Sequence, residues 1–403
     1  MAEALTSSIE FQMSLLLFVA LAGYLLASRI NQSAVIGEIL VGLLIGPSLL
    51  GLITYTDFVR SVAHLGAVIL LFVIGLEFKL KDIFNFKYSV IALIGVIVPW
   101  IGGFYTAKLF GYEFGSAVFV GTALTATSIA ITANVLREMG KLQTDAAKAI
   151  IGAAVIDDVL SLLALSMSEQ IVSGTLSIAS IGFVLFNAFA FLIIGAYVGT
   201  KILSKLVAKV DETDIAKKFP EFVFIFAMMI AFFYAMVAEL IHLSAIVGSF
   251  IAGVSLGSVV LRHSKDYKEG AEYLHIIFAS VFFVSLGILA DFHALTANVA
   301  WFLIALTVVA VLTKVIGCYI PAKLQGMSQQ DSLVVGFGMS PRGEVAMIIA
   351  LIGLNAGLIG QDIYVSLVLM SLLTTVLTPI VLRNWLYKRS FVDFFKRKRI
   401  TLQ

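Results

Sequence analysis

Asp157 and Asp158 stand side by side in "GAAVIDDVLSLLALSM", a stretch from Gly152 to Met167 that is otherwise apolar enough to lie in lipid. Three more ionisable residues interrupt apolar runs further on: Lys314, Arg342 and Glu344. A charged side chain at the centre of a membrane helix costs about 2.5 to 3.5 kcal/mol on insertion scales, so such residues face partners or a wet cavity. Neighbouring helix positions point about 100° apart. One acid of the pair is therefore able to hold a counter-charge while the other stays free. Three acids against two bases leave one carboxylate open to either a proton or a cation, and the five groups titrate as one coupled set. Buried charges can also be plain packing pairs. That reading suits Arg342 and Glu344, two apart beside a backbone break, better than the aspartates, because one ion pair needs only one acid. Lys314 fits both readings, as structural partner and as proton carrier.

Two further stretches bear on the same chemistry. "GSAVFVGTALTATSIAITANVL" gathers Thr125, Thr127, Ser128 and Thr132 near its middle; hydroxyls replace missing backbone hydrogen bonds or coordinate a hard cation. "SLVVGFGMSPRGEVAMIIALIGL" centres on Ser340, Pro341, Arg342 and Gly343. Proline lacks the N–H and disfavours helix at the residue before it, and Gly343 loosens what remains, so a break is expected there.

The elements that must position these groups are membrane helices. Of 403 residues 60% are hydrophobic and 13% charged, with mean hydropathy +1.05, the composition of a polytopic membrane protein. Six prolines and a single cysteine, Cys318, leave no disulfide framework and no Cys/His metal spacing, so no resident cofactor is expected. The N-terminal "MAEALTSSIEFQ" has no Lys or Arg before the first apolar run, which argues against a cleaved signal peptide. Thirteen apolar stretches are long enough to span: 11–29, 33–52, 62–78, 88–110, 115–136, 147–168, 178–200, 219–240, 243–260, 273–290, 297–321, 332–354 and 364–386. With the N-terminus outside and the C-terminus inside, 23 of the 27 basic residues fall on inside segments, Arg60 and Lys108 fall outside, and only Lys314 and Arg342 lie within spans. A missed or extra helix would scramble that asymmetry.

The charged connection "KILSKLVAKVDETDIAKKFPE" divides the chain into two sets of six helices: repeat one at about 11–168, a linker helix at about 178–200, and repeat two at about 219–386. Seven helices separate corresponding members, so the repeats run in opposite senses, the plan of an inverted-repeat transporter with discontinuous crossing helices. The interruptible spans, five and twelve, occupy matching places in the two sets, and such a pair points to a midplane ion site. Residues 1–386 form one membrane domain, and 387–403 a short basic tail suited to anchoring at a cytoplasmic surface. The glycines of "GLLIG" (42–46) and "GVSLG" (253–257) fit close helix packing. Glu38 and Glu77, near span ends, read as interfacial or structural rather than as ion ligands, and His242, His263 and His293 as loop residues.

The sequence resembles the NapA-like branch of the bacterial and archaeal cation/proton antiporter superfamily across nearly its whole length. The likeness rests on "VIGEILVGLLIGPSLLG" (35–51), "GAVILLFVIGLEFKLKDI" (66–83), "GTALTATSIAITANVL" (121–136), "GAAVIDDVL" (152–160), the span-eleven lysine and "GMSPRGEV" (338–345). The resemblance implies an NhaA-like fold, a homodimer in a prokaryotic inner membrane, and elevator motion of a six-helix core against a stationary panel. It implies exchange of intracellular sodium for extracellular protons, with Asp158 the main carrier of sodium and protons, Asp157 exchanging a salt bridge with Lys314, Thr127 and Ser128 at the span-five crossover, and Arg342, Glu344 and Thr125 in support. Electroneutral relatives carry Asn in place of the first acid, so Asp157 with Lys314 implies an electrogenic exchanger moving two protons per sodium. Kef-type potassium efflux systems carry a cytosolic nucleotide-binding domain and a different span-six motif, and neither is present in this sequence.

Rival readings remain. An intramembrane aspartyl protease needs two acids facing each other across one bond, whereas vicinal helix residues diverge. A channel would conduct without regard to a proton gradient. Buried acids suit an organic-anion symporter poorly. Potassium/proton exchange is the serious alternative. Nothing points to an enzyme or to nucleic-acid binding.

Overall fold

A computed structural model of the chain describes residues 8–387 except 84, 176, 220, 263–266, 291, 294 and 295. His263 and all of the expected basic tail but Tyr387 lie outside the described residues. The described residues form helices and no strands. In chain order they are α1 (Ile9–Arg29), α2 (Ala34–Ile45), α3 (Asp57–Leu76), α4 (Leu80–Ile83), α5 (Phe86–Leu109), α6 (Phe114–Ala123), α7 (Ile129–Glu138), α8 (Asp145–Ser173) and α9 (Ile178–Val198). They continue with α10 (Ser204–Asp211), α11 (Asp214–Lys218), α12 (Phe222–Leu240), α13 (Ala245–Leu256), α14 (Tyr267–Ile288), α15 (Ala297–Leu324), α16 (Gln329–Gly338), α17 (Glu344–Asn355) and α18 (Gln361–Val381).

Nine helical segments among the described residues are long and apolar enough to cross a membrane, and α2, α6, α13 and α17 are shorter apolar helices. Span two is shorter than the apolar run 33–52, because the chain leaves helix at Gly46 and turns through Pro47 and Ser48. The connection after span seven is largely helical rather than a loop. A π turn (Gly199–Leu203) carries α9 straight into α10, so one 34-residue segment runs from Ile178 to Asp211. It is the least buried of the long helices and presents Phe183, Phe186 and Ile193 outward, as expected where lipid replaces water as solvent. At the other extreme, α8 is capped at both ends: Thr144 accepts from the Ala147 N–H, and Gly174 closes the helix at φ 71°, a left-handed conformation that favours glycine.

Helices pack in two groups. One contains α1, α2, α3, α12, α13 and α14; the other contains α5 to α8 and α15 to α18. Within each group the contacts come in matched pairs. In the first, α2 packs on α14 as α13 packs on α3, and α1 on α2 as α12 on α13. In the second, α5 crosses α15, α5 meets α8 as α15 meets α18, and α6 touches α17.

Lipid tails are as apolar as the helices, so close backbone approach rather than water exclusion must hold the first group together. Two glycine seams provide it. A Cβ on Gly253 would lie 3.0 Å from the Gly75 Cα, and one on Gly287 would lie 2.5 Å from the Leu43 N and 2.8 Å from the Gly42 carbonyl carbon. Glycine is required at both crossings because any side chain would push the backbones apart. Gly253→Val should therefore destabilise the fold by about 1–3 kcal/mol, seen as a lowered melting temperature in detergent, while Gly182→Val, with nothing within 4 Å, should leave it unchanged.

Candidate functional site

Span five breaks over residues 124–128, between α6 and α7, and span twelve over 339–343, between α16 and α17. The halves are ten residues long, or twelve in α17, and so about 15–18 Å, which puts the breaks near the middle of a hydrocarbon layer about 30 Å thick. The two extended stretches cross. The Ser128 N–H donates to the Pro341 carbonyl at 2.9 Å, and a Cβ on Gly343 would come within 2.7 Å of Ser128 Oγ. Gly343 thus does more than loosen the helix, since it lets the chains touch.

Irregular backbone survives at this depth only if its polar groups are satisfied inside the protein. The span-five hydroxyls supply part of this: Thr132 Oγ1 donates to the Gly338 carbonyl at 2.6 Å and Thr127 Oγ1 to the Met339 carbonyl at 3.3 Å. Two threonines of α18 add to this, Thr374 Oγ1 accepting from the Arg342 N–H at 3.2 Å and Thr375 Oγ1 donating to the Arg342 carbonyl at 2.8 Å, and the two buried bases supply more. Arg342 reaches back to the Ser340 and Met339 carbonyls at 2.9 and 3.3 Å and to the Ala310 carbonyl at 3.3 Å. Lys314 Nζ donates to the Thr125 carbonyl at 2.7 Å and to Asp157 Oδ1 at 2.8 Å, with both side chains fully buried. A cation therefore sits at the negative, C-terminal end of each first half-helix, α6 and α16.

The two N-terminal ends, at Ser128 before α7 and Gly343 before α17, carry no side-chain cap. Together they border a cavity of about 20 Å3 with Asp158 on its wall, and Thr127, Ser244 and Glu344 complete its polar lining. That volume admits about one water molecule or one bare ion. The vicinal acids diverge as helix geometry requires. Asp157, 0% exposed, points to Lys314, whereas Asp158, 8% exposed, borders the cavity. The helix N-termini favour the ionised form of a carboxyl placed before them, and the carboxylate and hydroxyl oxygens here are of the kind that a hard cation takes as ligands.

Two alternatives left open by the sequence are decided by the structure. Arg342 and Glu344 do not pair: the guanidinium is spent on carbonyls, and Glu344 Oε1 accepts from Ser244 Oγ at 3.4 Å. Glu38 is not interfacial, being only 2% exposed within α2. Glu77 keeps its structural place, bonded at 3.0 Å to Arg137, which also binds Glu272 and reaches His275 at 3.3 Å. Arg137 ends α7, in the second helix group, while Glu77, Glu272 and His275 lie in or beside helices of the first, so this cluster ties the groups together. His242 is exposed in a turn at φ 65°, and His293 is exposed as well. Thr125 contributes its carbonyl to Lys314, while its hydroxyl donates to the Thr122 carbonyl at 2.7 Å. Ser244 escaped sequence reading, because a lone serine ahead of an apolar run signals only a helix start.

The transmembrane sodium/hydrogen exchanger family model matches residues 15–388. The chain belongs to that family. It is 34% identical over 381 residues to the Na(+)/H(+)-K(+) antiporter GerN of Bacillus cereus, covering 93% of this chain and 95% of the relative. It is also 34% identical over 378 residues to a Na(+)/H(+) antiporter of Enterococcus hirae, covering 93% and 97%. Among solved structures it resembles the sodium proton antiporter MjNhaP1 of Methanocaldococcus jannaschii, with a TM-score of 0.67 at 17% identity over 94% of this chain and 96% of that one; at this identity the likeness concerns the fold. The exchanger is a multi-pass membrane transporter and not an enzyme, which excludes the protease reading.

The Lys314–Asp157 pair carries a direct prediction. Removing one partner strands a buried charge, a loss of about 3–5 kcal/mol, so Lys314→Met should lower the melting temperature sharply. Adding Asp157→Asn should restore most of it. Additive losses in the double variant would contradict the pairing.

Proposed function

We propose that the exchanger moves intracellular sodium outward against inward-moving protons, with cation and proton competing for Asp158 and with Asp157 taking part through Lys314. The observation that carries this reading is the placement of Asp158 on a one-ion cavity between two uncapped half-helix N-termini, while both neighbouring bases are engaged elsewhere. Protonation of Asp157 would free Lys314, and cation binding at Asp158 would favour its neighbour's release of a proton. Thr127, Ser128 and Glu344 border the ion, and Thr125 and Arg342 hold the crossover in shape.

An electrogenic cycle follows from two acids and one lysine. With two protons entering per sodium leaving, one net charge crosses, and about 2.3 kcal/mol per 100 mV becomes available for extrusion. The matched contact pairs support two inverted six-helix repeats within a thirteen-span domain over 1–386, with the linker helix extended to 211. Orientation draws support from a large cavity on one side of the molecule. Its lining includes Ser28, Glu77, Arg137, Glu272 and Arg383, from segments that charge bias assigns to the inside. The cavity beside Asp158 draws Ser244 and Ile246 from the first helix group and the rest from the second. That division suits a core of α5 to α8 and α15 to α18 sliding as an elevator along a stationary panel, in a homodimer in the inner membrane of a prokaryotic cell.

Potassium/proton exchange is the second reading, favoured by the potassium in the name of the Bacillus cereus relative. One experiment addresses both: proteoliposomes with a pH dye at clamped voltage, under imposed sodium, lithium or potassium gradients. Sodium should drive proton flux at a rate that depends on voltage, and Asp158→Asn should abolish it. Undiminished exchange in that variant would reject the carrier role, and equal flux with potassium would favour the second reading.

A further inference from the structure

The large cavity has a volume of about 690 Å3, far more than the space beside Asp158, and opens between α1, α2, α14 and the inner end of α7. Its lining holds four acids, Glu38, Glu77, Glu138 and Glu272, against two bases, Arg137 and Arg383, a formal balance of −2 with His275 neutral. Three of the acids are engaged. Glu77 and Glu272 bond to Arg137, and Glu138 accepts from Ser33 Oγ at 2.6 Å and from Asn134 Nδ2 at 3.2 Å.

Glu38 differs. It is 2% exposed, it lines the cavity, and its Oε1 has no hydrogen-bond partner among the described residues. Its position is imposed by backbone contact, since a Cβ on Gly23 would lie 2.7 Å from the Glu38 N and Cα, so α1 and α2 touch at this point. A buried carboxyl in an apolar membrane helix is costly and needs a reason, and no ion pair offsets it. Tyr24 and Ser280 share its stretch of wall and bring hydroxyl oxygens to the same space. The Ser280 hydroxyl donates to the Ile276 carbonyl at 2.9 Å, so its oxygen is on the acceptor side toward the cavity groups. A carboxylate oxygen beside two hydroxyl oxygens, in a space wide enough for water and with excess negative charge, is a site for a hard monovalent cation.

Helix α7 borders both cavities: Asn134 lines the wide one, and Ile129, about 7.5 Å along the axis and on another face of the helix, lines the one beside Asp158. We infer that Glu38, with Tyr24 and Ser280, forms a second monovalent-cation site in the wide cavity, which loads the ion toward Asp158 from that face. The inference rests on the cation/proton exchange reading. Glu38 lies on the panel and Asp158 on the core, so in the elevator cycle this site stays behind when the core moves.

The test separates the two. Purified Asp158→Asn protein titrated with radioactive sodium should retain weak binding, and adding Glu38→Gln should remove it; no residual binding in Asp158→Asn, or residual binding unaffected by Glu38→Gln, overturns the site. In oriented proteoliposomes, Glu38→Gln should raise the apparent KM for sodium about fivefold from the wide-cavity face and less than twofold from the other. Ser280→Ala should shift the same face in the same direction by a smaller factor. Glutamine preserves size and one acceptor oxygen while removing the charge, so a purely structural carboxyl would leave both KM values in place, and that result, or an equal rise on both faces, also overturns the site. Failure of the exchange reading would appear instead as wild-type protein with no cation-driven proton flux.

Discussion

The site depends on how two interrupted helices dispose of their end charges. Breaking a helix at mid-bilayer exposes carbonyls at one end and N–H groups at the other, and neither can turn to solvent. Lys314 and Arg342 take the carbonyl ends of α6 and α16. That leaves the N–H ends of α7 and α17 for something negative, and Asp158 and Glu344 are the acids on that wall. Lys314 and Arg342 hold the backbone and Asp157 neutralises Lys314, so the polarity of the broken helices accounts for the two bases and for the acids that face the N–H ends.

Two kinds of packing serve this arrangement. The first helix group is held by glycine seams that bring backbones into contact, as at Gly75 with Gly253 and Gly42 with Gly287. The crossover in the second group is held by directional bonds from Thr127, Thr132, Ser128 and Arg342. Between the groups, on the wide-cavity side, runs the ion-pair cluster of Arg137 with Glu77 and Glu272. Its members are partly exposed, so each bond is individually weak. Buried apolar side chains of both groups also belong to one continuous core.

Much of this was legible in the chain. The vicinal aspartates, the lysine and the Ser–Pro–Arg–Gly break violate the rules of apolar membrane helices, and violations of local rules mark functional sites. In the structure they meet where the two interrupted helices cross. Other features were not legible. Arg342 and Glu344 looked like partners by proximity, but the carbonyls of a broken helix compete for a guanidinium, and nothing in residue spacing records that competition. Glu38 looked interfacial because it lies near the end of an apolar run. Only the close contact of α1 with α2 buries it. The helical continuation from 199 to 211 was hidden by its lysines, which signal a loop in composition yet are good helix formers.

The central claim is that a cation and a proton exclude one another at Asp158. It is tested most directly by measuring sodium affinity of the purified protein as a function of pH, with proton release followed in weakly buffered solution. Competition predicts that the apparent Kd rises by about tenfold for each unit of pH below the titration of the site, that sodium addition releases protons, and that Asp158→Asn loses this release. A Kd indifferent to pH, or proton release that persists in the variant, would contradict the account.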